Sequence, residues 1–475
     1  MATASAPRRQ IGTSQPLAAV PNRKPIAPKQ FVRLTLWPLV AATFFMVSGG
    51  TYGTEDIVHG AGYGRAILIL LITPLLWSLP TAFMIGELSS ALPFEGGYYA
   101  WVRRAMGDFW GFQEAWLSLV ASIFDMAIYP TLFVVYLTRM FPWFQQNSRG
   151  WWVALAVVVV CALLNIAGVK VVSLTSLWLF LALSAPFAII VVMAPFKLGA
   201  LANAVTKPTT STVDILGGLL ICMWNYMEWD NASTIATEVE RPQRTYPRAM
   251  LVAVAIVAAS YVLPFAAMWM TGLKATAWET GSWADIAALI GGPLLRVGVV
   301  LGGMMSAFGM FNALVMSYSR LPLAMAQDGM LPGVFGKLQK KSRAPWVAIV
   351  ALAIGWGMCL GLGFARLVTL DILLYGASLL LEFMALAVLR FREPELARPF
   401  RVPGGLFGAI AIGIPPMLLL GFSVIRSEHE QIWNMSSFSF GMTLIAAGFV
   451  AYAVNHLLKP AGWTTKPEEK PQPAA

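Results

Sequence analysis

The chain has 475 residues, of which 58% are hydrophobic and 12% are charged, and its formal net charge is +10 at pH 7. Soluble domains carry about 25% charged residues, so this composition excludes an ordinary soluble protein and predicts a membrane protein. The three cysteines lie in apolar runs and the three histidines are isolated. They lack the spacing of a disulfide framework or a metal site, so no metal or other cofactor is expected.

Both ends of the chain are expected to be polar tails. Residues 1–33 are rich in Pro, Ala and basic side chains and hold no apolar stretch of signal-peptide length. They are interpreted as a disordered basic cytoplasmic tail. Residues 457–475, which end in TTKPEEKPQPAA, are interpreted as a second cytoplasmic tail. A single transmembrane domain is expected between them, over residues 34–456.

This domain contains twelve apolar stretches close to the roughly 20 residues that a spanning helix needs. The predicted spans are 34–54, 65–86, 111–138, 151–169, 173–195, 213–236, 249–271, 294–318, 346–363, 367–389, 405–425 and 437–456. The third and eighth run long, so they are expected to be tilted or partly outside the hydrocarbon.

The basic residues predict the orientation of these spans. With the N-terminus inside, 24 of the 33 Lys and Arg fall in cytoplasmic segments. This bias predicts two cytoplasmic termini in a plasma or inner membrane. The positive net charge then reflects topology, and no nucleic-acid partner is expected. The connections are too short for a catalytic module and contain no nucleophile elbow or phosphate loop, so no enzyme is expected.

The first predicted span is interrupted about halfway, in the stretch SGGTYGTED. A polar, glycine-rich break in an apolar run predicts a helix that stops and restarts within the membrane. The alternative is that the glycines only allow close helix packing. The residues at the break are Ser48, Gly49, Gly50 and Thr51.

The sixth predicted span is interrupted in the same manner, in the stretch WNYMEWDN. It carries Asn225, Glu228, Asp230 and Asn231 at about membrane depth. An ionisable group there costs at least about 2.5–3.5 kcal/mol, so it indicates function. On a regular helix Glu228 and Asp230 would not share a face, so one could face the cavity while the other pairs with a scaffold group. Both are named as candidate substrate ligands.

The two interruptions correspond if the chain consists of two five-span repeats, 34–200 and 208–390, followed by two extra helices over 405–456. Interrupted spans at matching places in two halves are typical of the binding site of a secondary transporter. The exposed N–H groups of a broken helix attract a carboxylate, and its exposed carbonyls attract an ammonium or a sodium ion. The pattern therefore predicts a site for a small zwitterion or amine.

A further acid, Asp125, lies deep in the third span. Ser118 and Ser122 precede it and Tyr129 follows it at helical spacing, so these groups are expected near one face. A carboxyl group at that depth must be paired, protonated or in contact with water. Asp125 is therefore predicted to bind substrate or a proton.

Four other acids are expected at the two ends of the transport path. Glu55 and Asp56 either lie in an outer vestibule, where one could take a coupling proton, or form a solvated helix end. Glu87 is expected to form a charge pair near the cytoplasmic surface. Glu238 lies near Arg241 and is expected to form a gate or scaffold salt bridge.

Five stretches resemble the amino acid–polyamine–organocation superfamily of permeases, and the resemblance extends from about Leu34 to His456. They are SGGTYGTED, NIAGVK, TEVERPQRTYPRAM, SRLPLAMAQDGMLP and ARPFRVPGG. The resemblance implies an all-α membrane fold of the leucine-transporter type, which has a 5+5 inverted repeat with broken helices 1 and 6. In heteromeric members a cysteine of an outer loop binds a partner subunit; none lies in such a loop here, so no obligatory subunit is expected.

Three further stretches, WGFQEAW, FDMAIYPTLF and WNYMEWDNASTIATEVE, are similar to the plant-type polyamine and amino-acid proton symporters. This similarity implies that the backbone at Ser48, Gly49 and Gly50 faces the substrate. It also implies a sixth-span lining with an aromatic lid, formed by Trp224, Asn225, Tyr226 and Trp229.

The sequence departs from the family pattern at three places. The joint of the sixth span has no glycine. Val135 stands where the polyamine branch tends to carry a second acid, and Leu183 and its neighbours stand where some bacterial relatives carry a proton-shuttling lysine. The first two departures concern the substrate, and the third concerns the coupling mechanism.

Together these features predict a secondary active transporter of amino acids or polyamines. It would rock spans one, two, six and seven against the rest of the bundle. The acidic residues favour a cationic amine, and proton coupling is favoured over sodium. The alternative is a neutral amino-acid permease or exchanger, and a channel or sensor with the same fold is a further hypothesis.

Overall fold

The computed structural model describes residues 34–94, 96–168, 175–204, 214–427, 431–432 and 434–458. The predicted N-terminal tail lies outside these ranges, as does the C-terminal tail apart from residues 457 and 458. Those two residues end the last helix, which therefore extends slightly past the predicted boundary.

The described residues are almost entirely helical. The helices are α1 (Leu36–Val47), α2 (Glu55–Ala61), α3 (Tyr63–Ala91), α4 (Gly97–Met106), α5 (Asp108–Met140), α6 (Arg149–Ala167), α7 (Thr175–Met193), α8 (Ile215–Asn225), α9 (Pro242–Met270), α10 (Trp283–Gln327), α11 (Trp346–Met358), α12 (Phe364–Arg392), α13 (Gly405–Ala411), α14 (Ile414–Ser427) and α15 (Ser437–Leu458). A π-helical turn, Pro74–Ser78, lies within α3. Short 3₁₀ segments are Pro142–Gln145, Ala194–Lys197, Asp230–Glu238, Ala275–Ala277 and Gly333–Gly336. Two short strands, β1 (Gln431–Ile432) and β2 (Met435–Ser436), pair antiparallel with Gln431 opposite Ser436.

Nine helices in the described ranges are long and apolar enough to cross a membrane. This agrees with the composition, and the chain is an all-helical, multi-pass membrane protein. The three other predicted spans contain the shorter helices α1, α8 and α11. The count of twelve spans therefore stays a prediction.

Helix α1 ends within the first predicted span, at Val47, and seven residues separate it from α2, which begins at Glu55. Gly50 and Gly53 have φ of 83° and 82°, a left-handed conformation that glycine adopts at little cost. Gly49 is required for a different reason, because a Cβ atom there would overlap the side chain of Ser306 in α10. These glycines let the chain leave the helix and pass close to α10.

Helix α8 ends at Asn225, and a 3₁₀ segment begins only at Asp230. Between them Glu228 has φ of 67°, which is unusual for a residue with a side chain. Such a conformation costs on the order of 1–3 kcal/mol and persists only where the surroundings impose it.

The two long predicted spans belong to the 33-residue α5 and the 45-residue α10. Helix α10 contains non-helical φ/ψ angles at Gly291 and Gly292, directly before Pro293. Glycine supplies the left-handed angle, and proline cannot donate the next helical hydrogen bond. The kink at this point divides α10 into two helical segments.

Helices α5 and α12 lie side by side and run in opposite directions. The Ser118 and Ser378 hydroxyl oxygens, on facing helices, are 2.9 Å apart. Arg392, at the end of α12, donates to the carbonyl of Ala105 just before α5 begins. We call this end of the bundle the Arg390 side. The other end of α5, where Arg139 forms an ion pair with Asp285 at 2.9 Å, is the Arg139 side.

Candidate functional site

Besides Glu55 and Glu87, which are described below, six acidic residues lie buried inside the helix bundle, each only 0–3% exposed. We call them the acid set: Glu114, Asp125, Glu228, Asp230, Asp371 and Glu382. Within the described ranges, every ion pair to a Lys or Arg uses a different acid. Several ionised carboxyls at membrane depth cannot persist without compensation. The set therefore needs protons or a cation beyond the partners that the described residues provide.

Asp125 lies beside the end of α8. One carboxyl oxygen accepts from the Tyr129 hydroxyl at 2.9 Å and from the Trp224 indole N–H at 3.1 Å. The other oxygen is buried without a hydrogen-bond partner. Tyr129 is one turn away, as its spacing predicted, whereas Ser122 donates to a backbone carbonyl of its own helix. Asp125 is thus held in place through one oxygen and free to bind through the other.

Glu228 and Asp230 both face the interior. The Tyr318 hydroxyl donates to Glu228 at 2.6 Å, and Asn231 also donates to this carboxylate. The Tyr375 hydroxyl donates to Asp230 at 2.5 Å and accepts from the backbone N–H of Glu228 at 3.2 Å. Residues 226–229 are not helical, so the regular-helix spacing that would separate the two side chains does not apply here. Both acids stay predicted substrate ligands.

Three members of the acid set, Glu114, Asp371 and Glu382, were not predicted from the sequence. Neither carboxyl oxygen of Asp371 or of Glu382 has a hydrogen-bond partner. Glu114 accepts from the Ser378 and Ser118 hydroxyls through one oxygen only. All three lie within predicted spans, so the rule that singled out Asp125 would also have found them.

The break in the first span lies next to this set. A Cβ atom on Gly53 would be 3.4 Å from the Trp224 ring, and Trp224 in turn contacts Asp125. The hydroxyl of Tyr261 donates to the carbonyl of Asn225 at 2.8 Å and interacts with Ser48. The two interruptions are therefore neighbours in space.

Most backbone groups at the first break have protein partners. Gly50 N–H donates to the Ser48 hydroxyl at 3.0 Å, and Ser306 donates to the carbonyl of Gly49 at 2.6 Å. The Thr51 carbonyl accepts from the indole N–H of Trp283 at 3.1 Å. A ligand that binds this backbone would have to replace these contacts.

The predicted aromatic lining divides into two kinds. Trp224 donates to a member of the acid set, as described above. Tyr226 donates to the carbonyl of Leu70 at 2.9 Å, and Trp229 donates to the carbonyl of Tyr226 at 2.7 Å. Both are fully buried. Tyr226 and Trp229 thus pack the joint, whereas Trp224 contacts the acids.

On the Arg139 side, Glu55 is fully buried and accepts from the Tyr136 hydroxyl and from Gly281 N–H. It is therefore not a solvated helix end. Asp56 is partly exposed and accepts from the Thr280 hydroxyl. Both acids connect α2 to the segment before α10.

On the Arg390 side, Glu87 forms ion pairs with Arg390 and with Arg398, the latter at 3.2 Å. The predicted charge pair of Glu87 is thus present, and it is buried. Burial lowers the pKa of the Arg398 guanidinium, and the charge of Glu87 opposes this effect. The backbone N–H of Glu240 donates to the carbonyl of Leu34 at 2.9 Å. The side chain of Glu238 lies outside the described residues.

The model of a family described as amino acid permease matches residues 40–457. Polyamine transporter RMV1 of Arabidopsis thaliana is 36% identical over 82% of this chain and 80% of its own length. Polyamine transporter PUT1 of Oryza sativa subsp. japonica is 33% identical over 86% of this chain and 77% of its own. The serine/threonine exchanger SteT of Bacillus subtilis is 24% identical over 82% of this chain and 89% of its own.

Proposed function

Because this chain belongs to the amino acid permease family and is a membrane transporter rather than an enzyme, we propose that it is a secondary active transporter of cationic amines. The observation that carries the proposal is the acid set, which is buried and has no Lys or Arg partner among the described residues. An amine with two or more ammonium groups would supply the missing positive charge. The names of the two plant relatives agree with this substrate class.

Asp125 and Glu228 are the proposed primary ligands of an ammonium group. Each has one carboxyl oxygen that is fixed by neighbouring donors and one that has no partner. An ammonium group carries three donors and no acceptor, so it matches such oxygens. A zwitterion would bring its own carboxylate close to these acids, which is unfavourable. Trp224 is the proposed aromatic lid, because it contacts both Asp125 and the first break.

The proposed coupling ion is the proton. When the amine leaves, protons on the unpartnered oxygens would neutralise the acids and make the empty carrier stable in the membrane. One set of acids would then bind substrate and protons in alternation. Glu55, which is buried toward the Arg139 side, is a second candidate for carrying a proton.

The proposed architecture has twelve spans with repeats over 34–200 and 208–390 and two extra helices over 405–456. The non-helical residues 48–54 and 226–229 are then the joints of two discontinuous spans. The backbone of the first joint would become accessible to substrate when spans one, two, six and seven rock against the rest of the bundle. Its residues are Ser48, Gly49, Gly50 and Thr51. The Arg390 side and both termini are proposed to lie in the cytoplasm, in a plasma or inner membrane, and the distribution of Lys and Arg supports this orientation. No obligatory subunit is proposed.

The test is uptake of radiolabelled putrescine, arginine, leucine and serine into proteoliposomes with an imposed pH gradient. We expect saturable putrescine uptake that stops when a protonophore removes the gradient. Gradient-independent uptake would contradict proton coupling only. Transport of serine or leucine without either cation would instead support the alternative of a neutral amino-acid exchanger, for which the similarity to the serine/threonine exchanger is the supporting observation.

A further inference from the structure

Helices α5 and α12 carry matching acids at two levels of the bundle. Glu114 and Asp125 are eleven residues apart on α5, and Asp371 and Glu382 are eleven residues apart on α12. Eleven residues make about three helical turns and a rise of about 16 Å, so each pair lies on one helix face. Because the helices run in opposite directions, Glu114 lies near the level of Glu382, and Asp125 near that of Asp371.

The contacts between the helices agree with this alignment. The Ser118 and Ser378 hydroxyls meet between the two levels, and Ser378 also donates to Glu114. Glu382 is close enough to Glu114 and Asp230 for their charges to interact, and Asp371 is similarly close to Asp125. We call Glu114 and Glu382 the inner acid pair, which lies toward the Arg390 side.

The inner acid pair lacks a counter-charge in the described structure. Both oxygens of Glu382 and one oxygen of Glu114 have no hydrogen-bond partner, and both residues are fully buried. The guanidinium of Arg390, about two turns after Glu382 on α12, is used by Glu87 and by two backbone carbonyls. Two buried acids side by side without a counter-charge need either protons or a cation bound between them.

We propose that the inner acid pair is a second ammonium subsite, which selects long linear amines over short ones. A triamine or tetraamine would extend along the interface of α5 and α12, with one terminal ammonium near Asp125 and the other at Glu382 and Glu114. The hydroxyls of Ser118 and Ser378 lie between these ends and can accept from an inner ammonium. A short diamine can bind at the level of Asp125, but it does not span the rise of about 16 Å from there to the inner acid pair. This inference rests on the proposed function.

An ammonium ligand and a proton carrier at the inner acid pair differ in which substrates their loss would affect. Loss of a proton carrier would affect all substrates alike, because each needs the same coupling step. Loss of an ammonium ligand would affect only those substrates that reach it. The ratio of spermine to putrescine transport therefore distinguishes the two roles.

The experiment measures kcat/KM for radiolabelled spermine and putrescine in proteoliposomes, for wild type, Glu382→Gln and Glu114→Gln. Glutamine keeps the volume of the side chain and removes its charge. We expect the ratio of spermine to putrescine to fall about tenfold or more, the usual effect of losing a charged hydrogen-bond partner. Glu395→Gln, which removes an exposed acid after α12, is the matched control and should leave the ratio unchanged.

For variants that fold but transport too slowly for kcat/KM to be measured, the unfolding temperature in detergent is the second measurement. Spermine should raise the unfolding temperature of the wild type in detergent more than putrescine does, and Glu382→Gln should remove this difference. An unchanged ratio, with both substrates slowed equally, would overturn the subsite and leave the proposed function intact. Absence of any amine uptake by the wild type would instead reject the proposed function, before any variant is considered.

Discussion

Tyr375 and Asp230 are joined by a hydrogen bond of 2.5 Å that connects α12 to the start of the 3₁₀ segment. The same hydroxyl accepts from the backbone N–H of Glu228, the residue with a left-handed conformation. One side chain thus fixes both the strained residue and the acid two positions later.

Tyr375→Phe should therefore loosen the joint. We expect a loss of about 1–3 kcal/mol in unfolding free energy, because two buried polar groups lose their partner. Putrescine uptake should also fall, since the backbone of Glu228 and the carboxylate of Asp230 both lose their contact with Tyr375. The measurements are thermal unfolding in detergent and initial uptake rates. Tyr452→Phe, which removes a hydroxyl outside the acid set, is the control. Wild-type stability and uptake in Tyr375→Phe would show that the joint does not depend on this hydroxyl.

Asp125→Asn should strongly reduce transport while leaving the fold intact. The amide oxygen can still accept from Tyr129 and Trp224, but the negative charge that binds an ammonium is lost. We expect kcat/KM for putrescine to fall about ten- to a hundredfold. Uptake kinetics in proteoliposomes measure this effect, with Glu395→Gln as the control. Normal putrescine kinetics in Asp125→Asn would remove Asp125 from the site.

Glu87→Gln should destabilise the protein without a specific effect on substrate recognition. The substitution leaves Arg390 buried with a weaker partner, and breaking a buried ion pair costs about 3–5 kcal/mol. We expect a lower unfolding temperature and less protein in the membrane, while the KM for putrescine in the surviving protein stays unchanged. An unchanged unfolding temperature would mean that the ion pair is not needed for stability.

Gly49→Ala should impair transport through a steric effect. The new methyl group would overlap Ser306 and lie 2.5 Å from the Met310 sulfur, so the first break would have to move away from α10. We expect low uptake and a lower unfolding temperature. Gly421→Ala is the matched control, because no atom lies within 4 Å of its Cβ position. Wild-type behaviour of both variants would argue against a close approach of the break to α10.

The sequence predicted the features that depend on local composition. The membrane location and nine long apolar helices follow from hydropathy, which is read over one segment at a time. The two interruptions follow from polar residues and glycines within apolar runs, and the helices do end at Val47 and Asn225. Asp125 was predicted in the same way, because a carboxyl group within an apolar span can be recognised from the sequence of that span alone.

Only the tertiary structure placed the acids relative to one another. Glu114 and Ser378 are 264 positions apart in the chain, and nothing in either segment predicts that they touch. The inward position of Glu228 depends on a left-handed backbone angle that its own sequence does not favour and that contacts with Tyr318 and Tyr375 stabilise. Hydropathy is a property of each segment by itself, so it can be read from the sequence. The alignment of α5 with α12 arises from packing between distant segments and could be seen only once the chain was folded.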